Sequence, residues 1–159
     1  MKLLVLVLAA LCPLAQAGDY FTRVEPAPVR EFWLASGFGT LHFNRDVGLS
    51  GSNVGLGVEY RMRGDVAVTA GLFRNSDLES SHYLGALWQP VAFGPVRLGA
   101  VAALFNGYPR MRDGGWFPAL IPVATIEYKR VGMNVGFVPS YKDRLYGGVS
   151  VQLKVRLTQ

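Results

Sequence analysis

Val149-Ser150-Val151-Gln152-Leu153-Lys154-Val155-Arg156-Leu157 alternates apolar and polar residues without a break. A side-chain period of two belongs to an extended strand with one apolar face, and a helix does not produce it. The same period recurs upstream. Val54, Leu56, Val58 and Tyr60 alternate with Gly55, Gly57 and Glu59, and Val131, Met133, Val135 and Phe137 with Gly132, Asn134 and Gly136. From Phe32 onward almost nothing reads at 3.6 residues per turn. Such runs predict eight strands, at about 32–43, 53–62, 65–74, 82–90, 95–105, 118–129, 131–139 and 145–157.

The connections between these runs fall into two classes. Residues 63–64, 91–94 and 130 are short links, whereas 44–52, 75–81, 106–117 and 140–144 are longer and charged. Long and short links alternate, as they do in an up-and-down barrel with one end facing outward from a cell. The predicted fold is therefore all-β: an eight-stranded antiparallel up-and-down transmembrane β-barrel. A soluble ligand-binding barrel shows the same period with its faces exchanged, and three features favour the membrane form. Glycines 55, 57, 71, 99, 132 and 136 lie opposite the apolar face, which suits a narrow lumen. Charged residues make up only 17% of the chain and gather in the connections. Tyr60, Trp88, Tyr108 and Trp116 fall near strand ends, where aromatic girdles meet the membrane surfaces. The terminal aromatic common in outer-membrane barrels is replaced by Arg156-Leu157-Thr158-Gln159.

The 159 residues suffice for one domain. Residues 1–17 read as a cleaved export signal: Met1-Lys2, an apolar run from Leu3 to Leu11, then Ala15-Gln16-Ala17 as a small-x-small site. Residues 18–31, with Pro26 and Pro28, read as an extended lead-in, and 32–159 as the barrel. The one cysteine, Cys12, lies in the signal, so the mature chain has no disulfide and no thiol nucleophile.

Two polar clusters close strands on the same predicted rim: His42-Phe43-Asn44-Arg45-Asp46 and Phe73-Arg74-Asn75-Ser76-Asp77. Thr40-Leu41-His42 followed by Asp46 resembles a Thr-Trp-His segment of the PagP family of outer-membrane lipid A palmitoyltransferases, and Phe73-Arg74-Asn75-Ser76 its Phe-Lys-Asp-Ser. Trp88-Gln89-Pro90, Pro118-Ala119-Leu120-Ile121-Pro122 and Phe137-Val138-Pro139 resemble further family motifs in the same order. The resemblance implies an outer-membrane enzyme of a Gram-negative bacterium that moves a palmitoyl-type chain from a phospholipid donor to lipid A, the donor tail lying inside the barrel. It implies no cofactor, and a monomer is expected.

The family's histidine and serine fall on His42 and Ser76, and its aspartate falls on Asn75. An amide holds an imidazole by hydrogen bonding but offers no charge to an imidazolium, so Asp77 or Asp46 is left to supply one. The same substitution keeps a second expectation open: a non-catalytic, lipid-binding or structural barrel of the same fold. The family's N-terminal amphipathic helix has no counterpart here. Its prolines interrupt strand pairing to admit lipid from the side, a role that falls on Pro118, Pro122 and Pro139.

Arg45, Arg74, Arg110, Arg112, Lys142 and Arg144 bias the net charge of +5 toward the long-link rim. Phosphorylated headgroups would meet them there, and guanidinium groups suit bidentate phosphate contacts. An exported chain without a compact basic motif is not read as a nucleic-acid binder. His42 and His82 lack metal-ligand spacing, and no glycine-rich loop opens a helix to cradle a phosphate.

Overall fold

The computed structural model describes residues 20–44, 46, 48–142 and 144–158. The expected export signal over 1–17 lies outside the described residues, as do Arg45 and Asp143. The strands are β1 (Phe21–Arg23), β2 (Pro28–His42), β3 (Ser52–Arg63), β4 (Val66–Arg74), β5 (Ser80–Phe93), β6 (Val96–Phe105), β7 (Phe117–Tyr128), β8 (Val131–Val138) and β9 (Gly148–Arg156). Consecutive strands from β2 to β9 pair antiparallel, and β2 pairs with β9 to close an eight-stranded barrel. Closure pairs the strands around the whole ring except for a short stretch between β7 and β8, as a lipid solvent demands of most backbone groups.

The lead-in is more structured than the sequence suggests. β2 starts at Pro28, and β1 pairs Phe21 with Phe93 and Arg23 with Val91. The reason lies in unequal strand lengths. β4 stops at Val66, opposite Trp88, while β5 runs on to Phe93. β1 takes the place β4 vacates. Val24 N–H donates to Pro90 O at 2.9 Å and Gly64 N–H to Ala27 O at 3.0 Å, so the segment straps across the β3–β4 turn.

The two faces divide as a membrane barrel requires. Val54 is 75% exposed on the outside, with Leu56, Leu84, Leu120 and Leu153. Lys154, flanked by two outward residues, is 2% exposed in the lumen with Glu59, Arg61, Thr125 and Gln152. Each large apolar side chain left in water forgoes roughly 1.5–3 kcal/mol. Such a wall belongs in hydrocarbon, and the chain is a transmembrane β-barrel. Rings mark its edges: Phe32 lies 4.5 Å from Tyr60 and Phe21 5.2 Å from Phe93 at the short-turn end, and Phe43 5.4 Å from Phe137 at the other. Trp88 and Trp116 face outward as expected. Tyr108 does not; it turns into the lumen, against Phe117 at 5.7 Å.

The lumen glycines make space for one ring. A Cβ on Gly71 would come within 2.7 Å of the Tyr83 ring, and one on Gly57 would overlap its hydroxyl.

Candidate functional site at the long-loop rim

β2 begins with odd-numbered residues inward, since Trp33 and Ala35 are buried. Continued without interruption, that phase would turn His42 toward lipid. A bulge changes it. Three steps along β2, from Ala35 to Phe38, match two along β9, from Lys154 to Gln152. Beyond it Phe38, Thr40 and His42 face the lumen, and Leu41 is 73% exposed outside. Gly37 sits at the bulge, where a Cβ would overlap the Asn53 carbonyl oxygen and the Gly55 nitrogen. Glycine inside a strand often marks such close backbone approach.

His42 is the last residue of β2, opposite Gly148. Its Nε2 lies 2.9 Å from Ser76 Oγ, in the loop after β4. The two loops are tied together, because Ser50 N–H donates to Ser76 O at 3.1 Å. Asn53 also lies 3.1 Å from Ser76 Oγ. With Asn53 Oδ1 turned to Ser76, it accepts from Ser76 N–H at 3.2 Å and its amide donates to Ser50 O at 3.2 Å, which satisfies both ends of the group. The Ser76 hydroxyl is then held between an amide oxygen and an imidazole nitrogen.

Asn75 takes another position. It is completely buried, and Nδ2 donates to Ser81 Oγ at 2.9 Å and Gly107 O at 2.8 Å. Oδ1 accepts from Asp77 N–H at 2.9 Å and Glu79 N–H at 3.0 Å. All four hydrogen-bonding capacities of the amide are used in shaping the loop. A carboxylate could not make the two donations. The amide at 75 thus has a structural reason, and its contacts run to the loop and to Gly107, not to His42.

Of the two other acids, Asp46 is exposed and lies outside the cavity lining, while Asp77 lines the cavity with His42 and Ser76. Asp77 is the single carboxylate among the described lining residues.

The cavity has a volume of about 660 Å³. Its mouth carries His42, Ser76, Asp77, Arg112 and Arg144, and its middle is aromatic. Phe38 meets Phe73 edge-on at 5.0 Å and Tyr83 at 5.6 Å, while Tyr83 and Phe105 stack at 6.0 Å. The floor is polar but satisfied: Gln152 Nε2 donates to Tyr83 OH at 3.1 Å, and Thr125 Oγ1 to Asn134 Oδ1 at 2.8 Å. Burial pushes the Tyr108 phenol well above its ordinary value, with Asp77 adding to the effect.

The wall has a gap on one side. β7 pairs with β8 only from Val123 to Tyr128, leaving residues 117–122 without a β8 partner. Five consecutive residues there, Phe117 to Ile121, all line the cavity. In an intact wall alternate residues would face away, so the cavity opens laterally between β7 and β8. Pro118 and Pro122 bring no N–H to that edge, so they leave no donor stranded in lipid. Of the remaining expected rim cations, Arg110 lies over the Tyr146 ring at 5.2 Å and Lys142 over Tyr141 at 5.7 Å. Arg74 Nε donates to Leu78 O at 3.0 Å outside the cavity.

No protein-family model matches the chain, and no curated protein matches it. Among solved structures it is similar to the solution NMR structure of the de novo designed TMB2.3, with a TM-score of 0.51 and 16% identity over 85% of this chain and 98% of that one. At that identity the likeness carries the fold alone.

Proposed function

We propose that this chain is an outer-membrane acyltransferase that moves a palmitoyl-type chain from a phospholipid to a hydroxyl of lipid A. The observation that carries the reading is the His42–Ser76 pair, 2.9 Å apart at the mouth of an apolar cavity that opens sideways into the membrane. A cavity of about 660 Å³ lined by rings suits an acyl tail. The opening between β7 and β8 offers a lipid a route that keeps its tail in hydrocarbon. His42 acts as general base on the acceptor hydroxyl, since its ordinary pKa lies near working pH. Ser76 positions the donor ester, and Arg112 and Arg144 meet phosphate at the mouth. Asp77 supplies the negative charge that Asn75 lacks. The residues resembling PagP-family motifs include this pair, and the export signal over 1–17 fits the same location in a Gram-negative cell.

The test is mass spectrometry of lipid A from a host without its own acyltransferase of this type, with and without the chain. An added palmitate-sized mass, lost in His42→Ala and Ser76→Ala while the barrel still folds, is the expected result. An unchanged profile despite good surface expression overturns the reading. A second reading, a lipid-binding barrel without catalysis, is favoured by one observation: the Asn75 amide is wholly committed to its loop. Phospholipid retained by the purified barrel together with unmodified lipid A is its signature.

A further inference from the structure

We propose that the charged half of the lumen, on the short-turn side of the cavity, is a seal that closes the barrel to water and ions. It does not depend on the acyl-transfer reading. Its centre is Lys154 Nζ, 2.7 Å from Glu59 Oε1 and 2.8 Å from Glu127 Oε1, with its side chain wholly buried. Arg61 grips Glu127 through two nitrogens, each at 2.7 Å, and reaches Glu59 at 2.8 Å. Toward the short turns, Arg97 adds a contact to Glu127 at 2.7 Å, and Arg156 one to Glu31 at 2.6 Å.

These side chains come from β2, β3, β6, β7 and β9, so the ion pairs bridge the lumen from wall to wall. Trp33 fills space beside them, with Lys154 Nζ 4.8 Å from its ring centre. On the cavity side an amide layer continues the bridging: Asn134 Nδ2 donates to Glu59 Oε2 at 3.2 Å and Gln89 Nε2 to Thr125 Oγ1 at 2.8 Å. An eight-stranded barrel is just wide enough for side chains to fill. Here they fill one half and leave the other as a cavity with a floor.

Packed apolar residues would have filled the same space at no desolvation cost, and buried ion pairs are weak grounds for stability. The charged filling therefore calls for another reason. Ion pairs bridging opposite walls hold their partners in a fixed arrangement, and each is stranded if its partner leaves. Four cations face three carboxylates, and Arg97 Nε and Arg156 Nε are buried without a hydrogen-bond partner among the described residues. A breached seal would therefore favour anions.

Planar bilayer recording of the full refolded chain in potassium chloride tests this. The wild type is expected to give no discrete conductance steps. Glu127→Gln keeps the volume but removes the carboxylate shared by Arg61, Arg97 and Lys154. It is expected to give steps whose reversal potential in a salt gradient shows preference for chloride. A conducting wild type, or a folded Glu127→Gln barrel that stays silent, overturns the proposal. If Glu127→Gln does not fold, Lys154→Met removes the central cation instead and is read in the same way: steps support the seal, silence from the folded barrel sinks it.

Discussion

Gly37 decides which way His42 points. The two lie five positions apart on β2, and the bulge at Gly37 turns the histidine from the lipid face to the lumen, within 2.9 Å of Ser76 Oγ. Gly37→Val places side-chain atoms on the Asn53 carbonyl. Overpacking of this kind costs about 1–3 kcal/mol. The expected outcome is a lower urea midpoint in refolding and loss of lipid A acylation even in the fraction that folds. A variant with wild-type acylation would show that the bulge does not set the histidine's direction.

Asn75 and Asp77 are expected to respond in opposite ways to an exchange of acid and amide. Asn75→Asp loses both donations, to Ser81 Oγ and Gly107 O, and sets a carboxylate against a carbonyl oxygen. Leaving buried groups unsatisfied costs about 1–3 kcal/mol. The variant should unfold earlier and gain no acylation. Asp77→Asn keeps its backbone contact and fold but removes the carboxylate lining the cavity beside His42. If His42 is the base proposed above, a fall in acyl-transfer rate of about ten- to a hundredfold is expected, from lost stabilisation of the imidazolium that step would form. Increased transfer in Asn75→Asp would reverse the assignment of the two residues.

The lateral opening is testable with a reversible lock. Were the β7–β8 ladder to run past Val123–Gly136, Ile121 would stand opposite Val138. Cysteines at both positions, oxidised, should close the wall and stop acylation, and reduction should restore it. Residues 18–159 contain no competing thiol. Transfer unaffected by oxidation, with the crosslink verified by mass spectrometry, would send the donor lipid in by another path.

Leu56 faces outward in the middle of β3 at 57% exposure. Leu56→Arg should destabilise the barrel in lipid vesicles by about 2–4 kcal/mol, the range for a cation near the bilayer midplane. In a soluble barrel the same change on an exposed position would stay within about 0.5 kcal/mol. Urea titration of folding into vesicles separates the two.

The strands were legible because alternation such as Val149 to Leu157 has one physical meaning. Seven of the eight expected runs begin within three residues of the observed barrel strands; the one beginning at 32 starts four residues late, at Pro28 in the structure. β1 was not legible. Phe21-Thr22-Arg23 is too short to show a period, and it is a strand only because β5 outruns β4. A place near a strand end points Tyr108 to the girdle, but loop geometry, not position, carries it into the cavity.

The polar rim segments ending in Asp46 and Asp77 were visible as composition, and the resemblance singled out His42, Asn75 and Ser76. What joins His42 to Ser76 is not in either segment. It depends on the bulge at Gly37 and on two loops bonded through Ser50, a relation between strands that local pattern does not carry. The burial of the lumen charges is hidden from local pattern for a similar reason. In the sequence Glu59, Arg61 and Lys154 occupy the ordinary polar positions of alternating strands.

The sequence by itself determined that the chain forms extended, two-faced strands, the number and approximate bounds of those in the barrel wall, and which connections are long. Those follow from local sterics and side-chain period, which act within a few residues. Only the tertiary structure decided which face turns inward beyond Gly37, that Asn75 builds its loop while Asp77 lines the cavity, and that the β7–β8 wall stays open above Val123. Each of these is set by register and closure, where one residue's phase depends on strands far away in the chain.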